Sequence, residues 1–270
     1  MSTQQPDSDD TRVAMAAAAL FSIVSGVEPT AQEMSELHAY DDAELRDGLR
    51  LQLAVLRRWR GADEEVGGWK IGWTSRSARD RGGPGFRPFG FVLTSRIFAS
   101  GASLEGSLLT SGWLEPEICL IMGQRLAGPD VTVSEARAAV SGIAPAFEIC
   151  LRRLPPGLSL AVSLGGDLNN WGMVVGSAQP PDLAIGDLTV EVRQSGSLIA
   201  SGASTPDVLD DPFLSLTRVC RELDTFGLGL EPGQAVLTGS LAAQASLSQP
   251  GLTEASFGAL GTVEVRIGDR

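Results

Sequence analysis

Hydrophobic and polar positions follow two different rhythms along this chain. Over the first sixty or so residues the spacing predicts helices. Thr11 stands before an alanine-rich apolar run reaching about Ser25, where Gly26 and Pro29 interrupt it. From roughly Asp42 to Arg60, Leu45, Leu49, Leu51, Leu53, Val55 and Leu56 recur with i, i+4 pairs and arginines between them, and Gly61 closes the run. Beyond Gly67 the texture changes to short apolar runs bounded by Gly, Pro, Asp and Ser. These are Ile97–Ala99, Glu117–Met122, Met173–Val175, Leu188–Val192, Ala235–Leu237 and Thr262–Ile267, and each predicts a strand. Two helices interrupt them: Ser134–Ser141, opened by the Thr132–Glu135 capping-box pattern, and Pro212–Phe226, ended by Gly227. The expected organisation is a disordered tail over residues 1–10, a helical region over 11–66 and a β-rich body over 67–270, all in one structural domain of α+β class.

Charge narrows the chemistry. A formal net charge of −12 over 270 residues, with no basic run beyond Arg57, Arg58 and Arg60, argues against nucleic acid as a partner. The N-terminal apolar stretch, Val13–Val24, is too short to span a bilayer and is preceded by Asp7, Asp9 and Asp10, so a membrane role and a secretory leader are not expected. Cys119, Cys150 and Cys220 show no paired spacing and read as buried reduced thiols of a cytoplasmic protein. A lone His38 in the helical region gives histidine-based nucleophilic catalysis little to rest on, and no phosphate-binding glycine motif is present.

Three glutamates stand out by context. Gly112-Trp-Leu-Glu-Pro-Glu-Ile-Cys-Leu-Ile-Met122 puts Glu115 and Glu117 two residues apart, hence on one face of a strand. Glu148 lies in Pro145-Ala-Phe-Glu-Ile-Cys150, apolar on both sides. Carboxylates that close to one another in apolar surroundings are costly unless protonated or neutralised by a cation. A hard divalent ion such as Mg²⁺ or Mn²⁺ would take these oxygens and keep positions open for water or substrate. The plain alternative is three surface glutamates on amphipathic strands. Cys119 and Cys150 follow candidate ligands by two residues and so share the ligand face, and core packing behind the site is preferred to ligation.

Lys70, in Gly67-Gly-Trp-Lys-Ile-Gly-Trp-Thr74, is the only lysine of the chain; the other twenty basic residues are arginines. Lysine, unlike arginine, can serve as a proton donor or as a tunable partner of a carboxylate. Thr238, Gly239 and Ser240 form a strand end and glycine turn whose N–H groups could bind a carboxylate or oxyanion. The turn Asp167-Leu-Asn-Asn170 offers Asp167, Asn169 and Asn170 as polar contacts, with a simple Asx-rich turn as the alternative.

Together with Gly172-Met-Val-Val-Gly176, Phe226-Gly-Leu-Gly-Leu-Glu231 and Phe257-Gly-Ala-Leu-Gly-Thr-Val-Glu-Val265, these stretches resemble the 2-keto-4-pentenoate hydratase and 4-oxalocrotonate decarboxylase family, within the fumarylacetoacetate hydrolase superfamily. The resemblance covers most of the chain from about residue 40. It implies a mixed β-roll of fumarylacetoacetate hydrolase type beneath an N-terminal helical layer. It further implies a Mg²⁺ or Mn²⁺ site on Glu115, Glu117 and Glu148, an active-site Lys70, and substrate-carboxylate contacts from Thr238 and the Asp167–Asn170 turn. Homo-oligomers are implied as well, and a complex with another pathway enzyme is compatible with it. The expected reaction is metal-dependent addition of water to a 2-hydroxy-2,4-dienoate, giving a 4-hydroxy-2-oxo acid, in the catabolism of aromatic compounds. Decarboxylation of a 2-oxo acid, C–C hydrolysis and a non-catalytic partner subunit are the alternatives. They stay open because the chain departs from the family pattern at Arg87-Pro-Phe-Gly90, at Asp167-Leu-Asn-Asn170 and at Asp210-Asp-Pro212.

Overall fold

The structure, a computed structural model, describes residues 8–269. Of the tail expected over residues 1–10, residues 1–7 lie outside the described residues. Residues 8–10 belong to helix α1 (Ser8–Val24), which starts one turn earlier than Thr11.

The chain divides into two units, residues 1–65 with 152–169, and residues 66–151 with 170–270. The first is helical. Alongside α1 it holds α2 (Ala31–His38), α3 (Leu45–Arg60) and α5 (Leu160–Gly165). Helix α2 has no strong apolar period but is opened by a complete capping box, Thr30 with Glu33. Leu20, Leu37, Leu49 and Leu51 are fully buried among these helices. α3 lies tightly on α5, with Gly48 against the Ala161 backbone and Gln52 Nε2 donating to Leu164 O at 3.0 Å. No local pattern signals that 152–169 returns to this unit, because the segment is short and carries little periodicity.

The second unit carries two sheets and the helices α4 (Val133–Ala139) and α6 (Pro212–Asp224). The larger sheet comprises β1 (Val66–Ile71), β2 (Phe89–Leu93), β3 (Ile97–Ala99), β5 (Gly112–Met122), β6 (Val140–Leu151), β7 (Asn170–Val175), β10 (Ala235–Ser240) and β11 (Ala245–Ser246). Its order is β2-β1-β10-β5-β6-β7-β3, with β11 paired to β5. The smaller sheet runs β4-β13-β12-β8-β9, from β4 (Ala102–Leu104), β8 (Thr189–Gln194), β9 (Ser197–Ala203), β12 (Gly251–Ser256) and β13 (Thr262–Ile267). Its strands alternate, with Val190, Val192, Val263 and Val265 buried between exposed or half-buried neighbours. β8 and β9 join through Ser195 and Gly196, both at positive φ (49° and 83°), the conformation a two-residue hairpin turn requires.

In the larger sheet, Val92, Cys119, Ala144, Ala146, Met173, Ala235 and Leu237 form one buried cluster drawn from five strands. Glu115 and Glu117 stand at even spacings from Cys119 along β5, Glu148 and Cys150 from Ala146 along β6, and Lys70 of β1 is the partner of Leu237 of β10, so all five share the face of this cluster. The sheet thus has a face that is apolar at one end and acidic at the other. No helix among the described residues is long and apolar enough to cross a membrane.

Candidate metal centre and active site

Strands β5 and β6 form an unbroken antiparallel ladder from Gly112↔Leu151 to Ile121↔Gly142, and within it Glu115 is directly opposite Glu148. Glu117 is one alternation further along β5, opposite Ala146 and paired on its other side with Ser240 of β10. Glu117 and Glu148 are 2% and 1% exposed, and Glu115 is half-buried. The carboxyl oxygens of Glu115 and Glu148 lie with the Cys150 sulfur in one group whose atoms are all within 4.8 Å of one another. Glu117 stands beside this group, outside that tight set.

Each carboxylate is held by one oxygen. Trp113 Nε1 (2.7 Å) and Gln244 Nε2 (2.8 Å) both donate to Glu115 Oε1. Lys70 Nζ (2.5 Å) and Asn170 Nδ2 (2.9 Å) both donate to Glu148 Oε1. The Gly239 N–H donates to Glu117 Oε2 at 2.7 Å. The second oxygen of each carboxylate receives no hydrogen bond from any described residue. Three acidic groups face one ammonium, so two negative charges are left without a counter-charge. The energetic consequence is visible in the acidities. Burial first, then the charges of Glu148 and Glu115, push the Glu117 carboxyl well above the usual range. Burial and Glu148 raise Glu115, with Lys70 opposing. Burial alone would favour a neutral Lys70 amine, but Glu148 and its acidic neighbours keep it protonated, above its ordinary value. Three oxygens without donors beside an uncompensated charge of this sign fit a divalent cation with oxygen ligands.

The turn after β10 is built around Gly239. Its φ of 114° belongs to glycine, and a Cβ there would run into the Thr74 hydroxyl. The carboxylate that the turn's backbone N–H reaches is Glu117 of the protein itself. Thr238 is fully buried and its hydroxyl donates to Ile118 O at 2.8 Å, bracing β10 on β5. Ser240 Oγ donates to Ala242 O at 2.9 Å, and Ser240 lines an open groove of about 650 Å³ with Ser75, Arg76, Ser77, Ser201 and Asp207. Asn170 joins the site through Glu148. Asp167 and Asn169 fall in the helical unit, within three successive residues at positive φ (63°, 52° and 65°). His38 is also in that unit, bound to Asp41 at 3.0 Å on its surface.

The two cysteines behind the glutamates behave differently. Cys119 packs in the apolar cluster, and burial pushes its thiol up to about 12. Cys150 is buried on the ligand face, as two-residue spacing from Glu148 on a strand requires, and its sulfur lies within 4.8 Å of carboxyl oxygens of Glu115 and Glu148. Trp113 and Gln244 were not singled out from sequence. Trp113 precedes Glu115 by two residues and its indole N–H needs an acceptor when covered, a signal that was there to read. Gln244 carried none.

At the departures from the family pattern, Arg87 and Asp210 turn out to be partners. Arg87 is 1% exposed, its Nη2 donates to Asp210 Oδ2 at 2.8 Å, and its Nε has no partner among the described residues. Arg218 also pairs with Asp210 Oδ2, and Ser215 Oγ donates to it at 3.2 Å. The Asp210 N–H donates to Thr74 O, which ties this cluster to the residue seated against Gly239. A cavity of about 520 Å³ beside it, lined by Arg79, Arg137, Leu183, Ile185, Asp210 and Phe213 among others, shares no residue with the carboxylates.

No family model matches the chain. Among characterised proteins it is 29% identical to a 4-oxalocrotonate decarboxylase of Pseudomonas sp over 220 residues, 81% of this chain and 84% of that protein. It is 29% identical to a 2-hydroxyhexa-2,4-dienoate hydratase of Comamonas testosteroni over 205 residues, 73% and 76% of the two chains. The fold matches 4-oxalocrotonate decarboxylase from Pseudomonas putida G7, complexed with magnesium and adipate, with a TM-score of 0.84 at 18% identity over 98% of this chain and all of that one. A fumarylacetoacetate hydrolase from Exiguobacterium antarcticum matches with a TM-score of 0.56 at 22% identity over 77% of this chain and 76% of its own. These are the family and the superfamily that the motifs resemble, and the α+β fold is of fumarylacetoacetate hydrolase type.

Proposed function

We propose that this chain is a divalent-metal-dependent hydratase that adds water to a 2-hydroxy-2,4-dienoate to give a 4-hydroxy-2-oxo acid. The observation that carries the reading is the set of three carboxylates, each fixed by one oxygen and open at the other, around a single buried lysine. Glu115, Glu117 and Glu148 would hold Mg²⁺ or Mn²⁺. Bound there, the ion supplies positive charge for the oxygen of a 2-oxo acid on which negative charge develops. Relatives named as dienoate hydratases support the reaction, and magnesium in a structural neighbour supports the metal.

The chain's own residues divide the remaining work. Lys70 is protonated and within 2.5 Å of Glu148, so it can hold the substrate carboxylate or hand a proton to the reacting carbon chain. Asn170 keeps Glu148 turned toward Lys70. Trp113 and Gln244 fix Glu115, and the Gly239 N–H fixes Glu117, so the acidic set is pre-arranged rather than assembled on binding. Ser240, on the open groove, is taken as a contact of the substrate, whereas Thr238 acts through the strand it braces. The same reading takes the protein as a cytoplasmic homo-oligomer of aromatic-compound catabolism.

A second reading is favoured by one observation: the fold match over nearly the whole chain is a decarboxylase. Both reactions place negative charge on the same oxygen, so one site could serve either. Incubating the purified chain with 2-hydroxypenta-2,4-dienoate and, separately, with 4-oxalocrotonate, with Mg²⁺ or Mn²⁺ and with a chelator, separates them. Metal-dependent loss of the dienoate absorbance is the expected result. Metal-dependent CO₂ release from the diacid without loss of the dienoate would assign the decarboxylase. Inertness toward both would overturn the enzymatic reading.

A further inference from the structure

We infer that Cys150 is an additional ligand of the centre, so that this chain binds a borderline or soft divalent cation through Glu115, Glu148 and the Cys150 thiolate. The inference rests on the proposed metal centre and adds to it a sulfur ligand that the all-glutamate set lacks. Two independent observations carry it. The first is position: Cys150 follows Glu148 by two residues on β6, Glu115 faces Glu148 across the ladder, and the sulfur lies within 4.8 Å of both carboxylates. Oxygen and sulfur ligands of one zinc ion, at about 2.0–2.2 Å and about 2.3 Å from it, stand at most about 4.5 Å apart. Small side-chain adjustments would therefore suffice. The second is the state of the thiol. Cys119 Sγ is directed at Leu120 O and Cys220 Sγ at Leu126 O, whereas the Cys150 thiol, 2% exposed, has no hydrogen-bond partner among the described residues. It is a buried polar group pointed into the acidic cluster with nothing to satisfy it.

Ligand softness then sorts the ions. Mg²⁺ would use the carboxylate oxygens and leave the sulfur aside, while Zn²⁺, Co²⁺ and Cd²⁺ gain from a thiolate. On their binding the Cys150 S–H bond breaks, its proton leaves to solvent, and a sulfur lone pair forms the bond to the metal; no oxidation is involved. The site thus has two modes, an oxygen mode for hard ions and a mixed mode in which a thiophilic ion is held more tightly and displaces Mg²⁺.

The test uses the full chain stripped of metal, titrated with Co²⁺ and with Cd²⁺ while the near-ultraviolet thiolate-to-metal charge-transfer band is recorded, with Mg²⁺ binding followed by calorimetry. The expected result is a band at one ion per chain that persists in Cys119→Ser and vanishes in both Cys150→Ser and Cys150→Ala. Cd²⁺ affinity should fall in these two variants by at least about 100-fold, the upper end of what a lost supporting contact costs. Binding of Co²⁺ without the band, or a band that survives both substitutions, overturns the thiolate ligand while leaving the glutamate centre in place. Absence of binding by Mg²⁺ and Co²⁺ alike overturns the centre and this inference together.

Discussion

Lys70 on β1 and Glu148 on β6 meet at 2.5 Å although two strands, β10 and β5, lie between theirs in the sheet. Glycines at 67 and 68 allow close approach: a Cβ on Gly68 would strike the Ala235 carbonyl of β10 and then crowd Met173 of β7, and one on Gly67 would meet Ile97 of β3. The sheet therefore curls until its first strands approach its last, and the contact closes over the acidic end of its interior face. Two consequences follow, one for stability and one for catalysis.

Lys70→Met leaves Glu148 buried beside Glu115 with no counter-charge. Metal-free protein should lose about 3–5 kcal/mol of unfolding free energy. Adding Glu148→Gln should return most of it, since the double change removes both charges. Turnover should drop by roughly 10²–10⁴-fold if the ammonium moves a proton. Urea unfolding of the two single variants and the double variant, with kinetics on the same preparations, checks both halves. Equal stability of Lys70→Met and wild type would refute the pairing.

Trp113 acts on the metal only through Glu115. Trp113→Phe retains the ring and deletes the N–H donor, so the carboxylate loses one of its two anchors. Mn²⁺ affinity measured by calorimetry should weaken by about 10–100-fold, with little change in melting temperature. A change in stability without a change in affinity would make Trp113 a packing residue and no more.

Asp210 holds two arginines, one of them sealed from solvent. Asp210→Asn should destabilise the protein by about 3–5 kcal/mol, because Arg87 cannot reach water when its partner is neutralised. Arg87→Met combined with Asp210→Asn should recover part of the loss in chemical denaturation. An Asp210→Asn variant as stable as wild type would show that Arg218 and Arg87 find other partners.

Cys220 is distant in sequence from the glutamates and lies on the buried face of α6, where burial pushes its thiol up to about 12. The folded value is above the unfolded one, so the unfolded chain gives up this proton first as pH rises. Its stabilising contribution is complete below the ordinary thiol pKa of about 8.5 and is lost on the way to about 12. Unfolding free energy measured between pH 8 and pH 11 should fall, by at most about 1.4 kcal/mol per pH unit from this group. Cys220→Ala should flatten the slope. An unchanged slope in that variant would contradict the assignment.

The sequence made the acidic end of the sheet legible because alternation is a strict rule. Once Gly112–Met122 reads as a strand, Glu115 and Glu117 must share a face, and Glu148 in an apolar run asks for a partner. Strands Ile97–Ala99 and Thr262–Ile267 and the Thr132–Glu135 cap were readable for the same kind of local reason. What stayed hidden depends on pairing across distance. That Arg87 meets Asp210, 123 residues on, that Gln244 reaches Glu115 and that Gly239 spends its N–H on Glu117 follow from how distant segments are brought together, which no local pattern encodes. Helix α2 was missed because eight residues with one buried position leave no period to detect. The even spacing of Cys150 from Glu148 puts its sulfur on the ligand face, but how near it comes to Glu115 depends on the pairing of β5 with β6.

Binding of Mn²⁺ by wild type and by Glu115→Gln, Glu117→Gln and Glu148→Gln, followed by electron paramagnetic resonance with folding verified on each sample, bears on the glutamate centre most directly. One ion per wild-type chain, with affinity weakened by about 100-fold or more in each of the three variants, is the predicted result. Wild-type affinity retained in any one of them would contradict the centre as described.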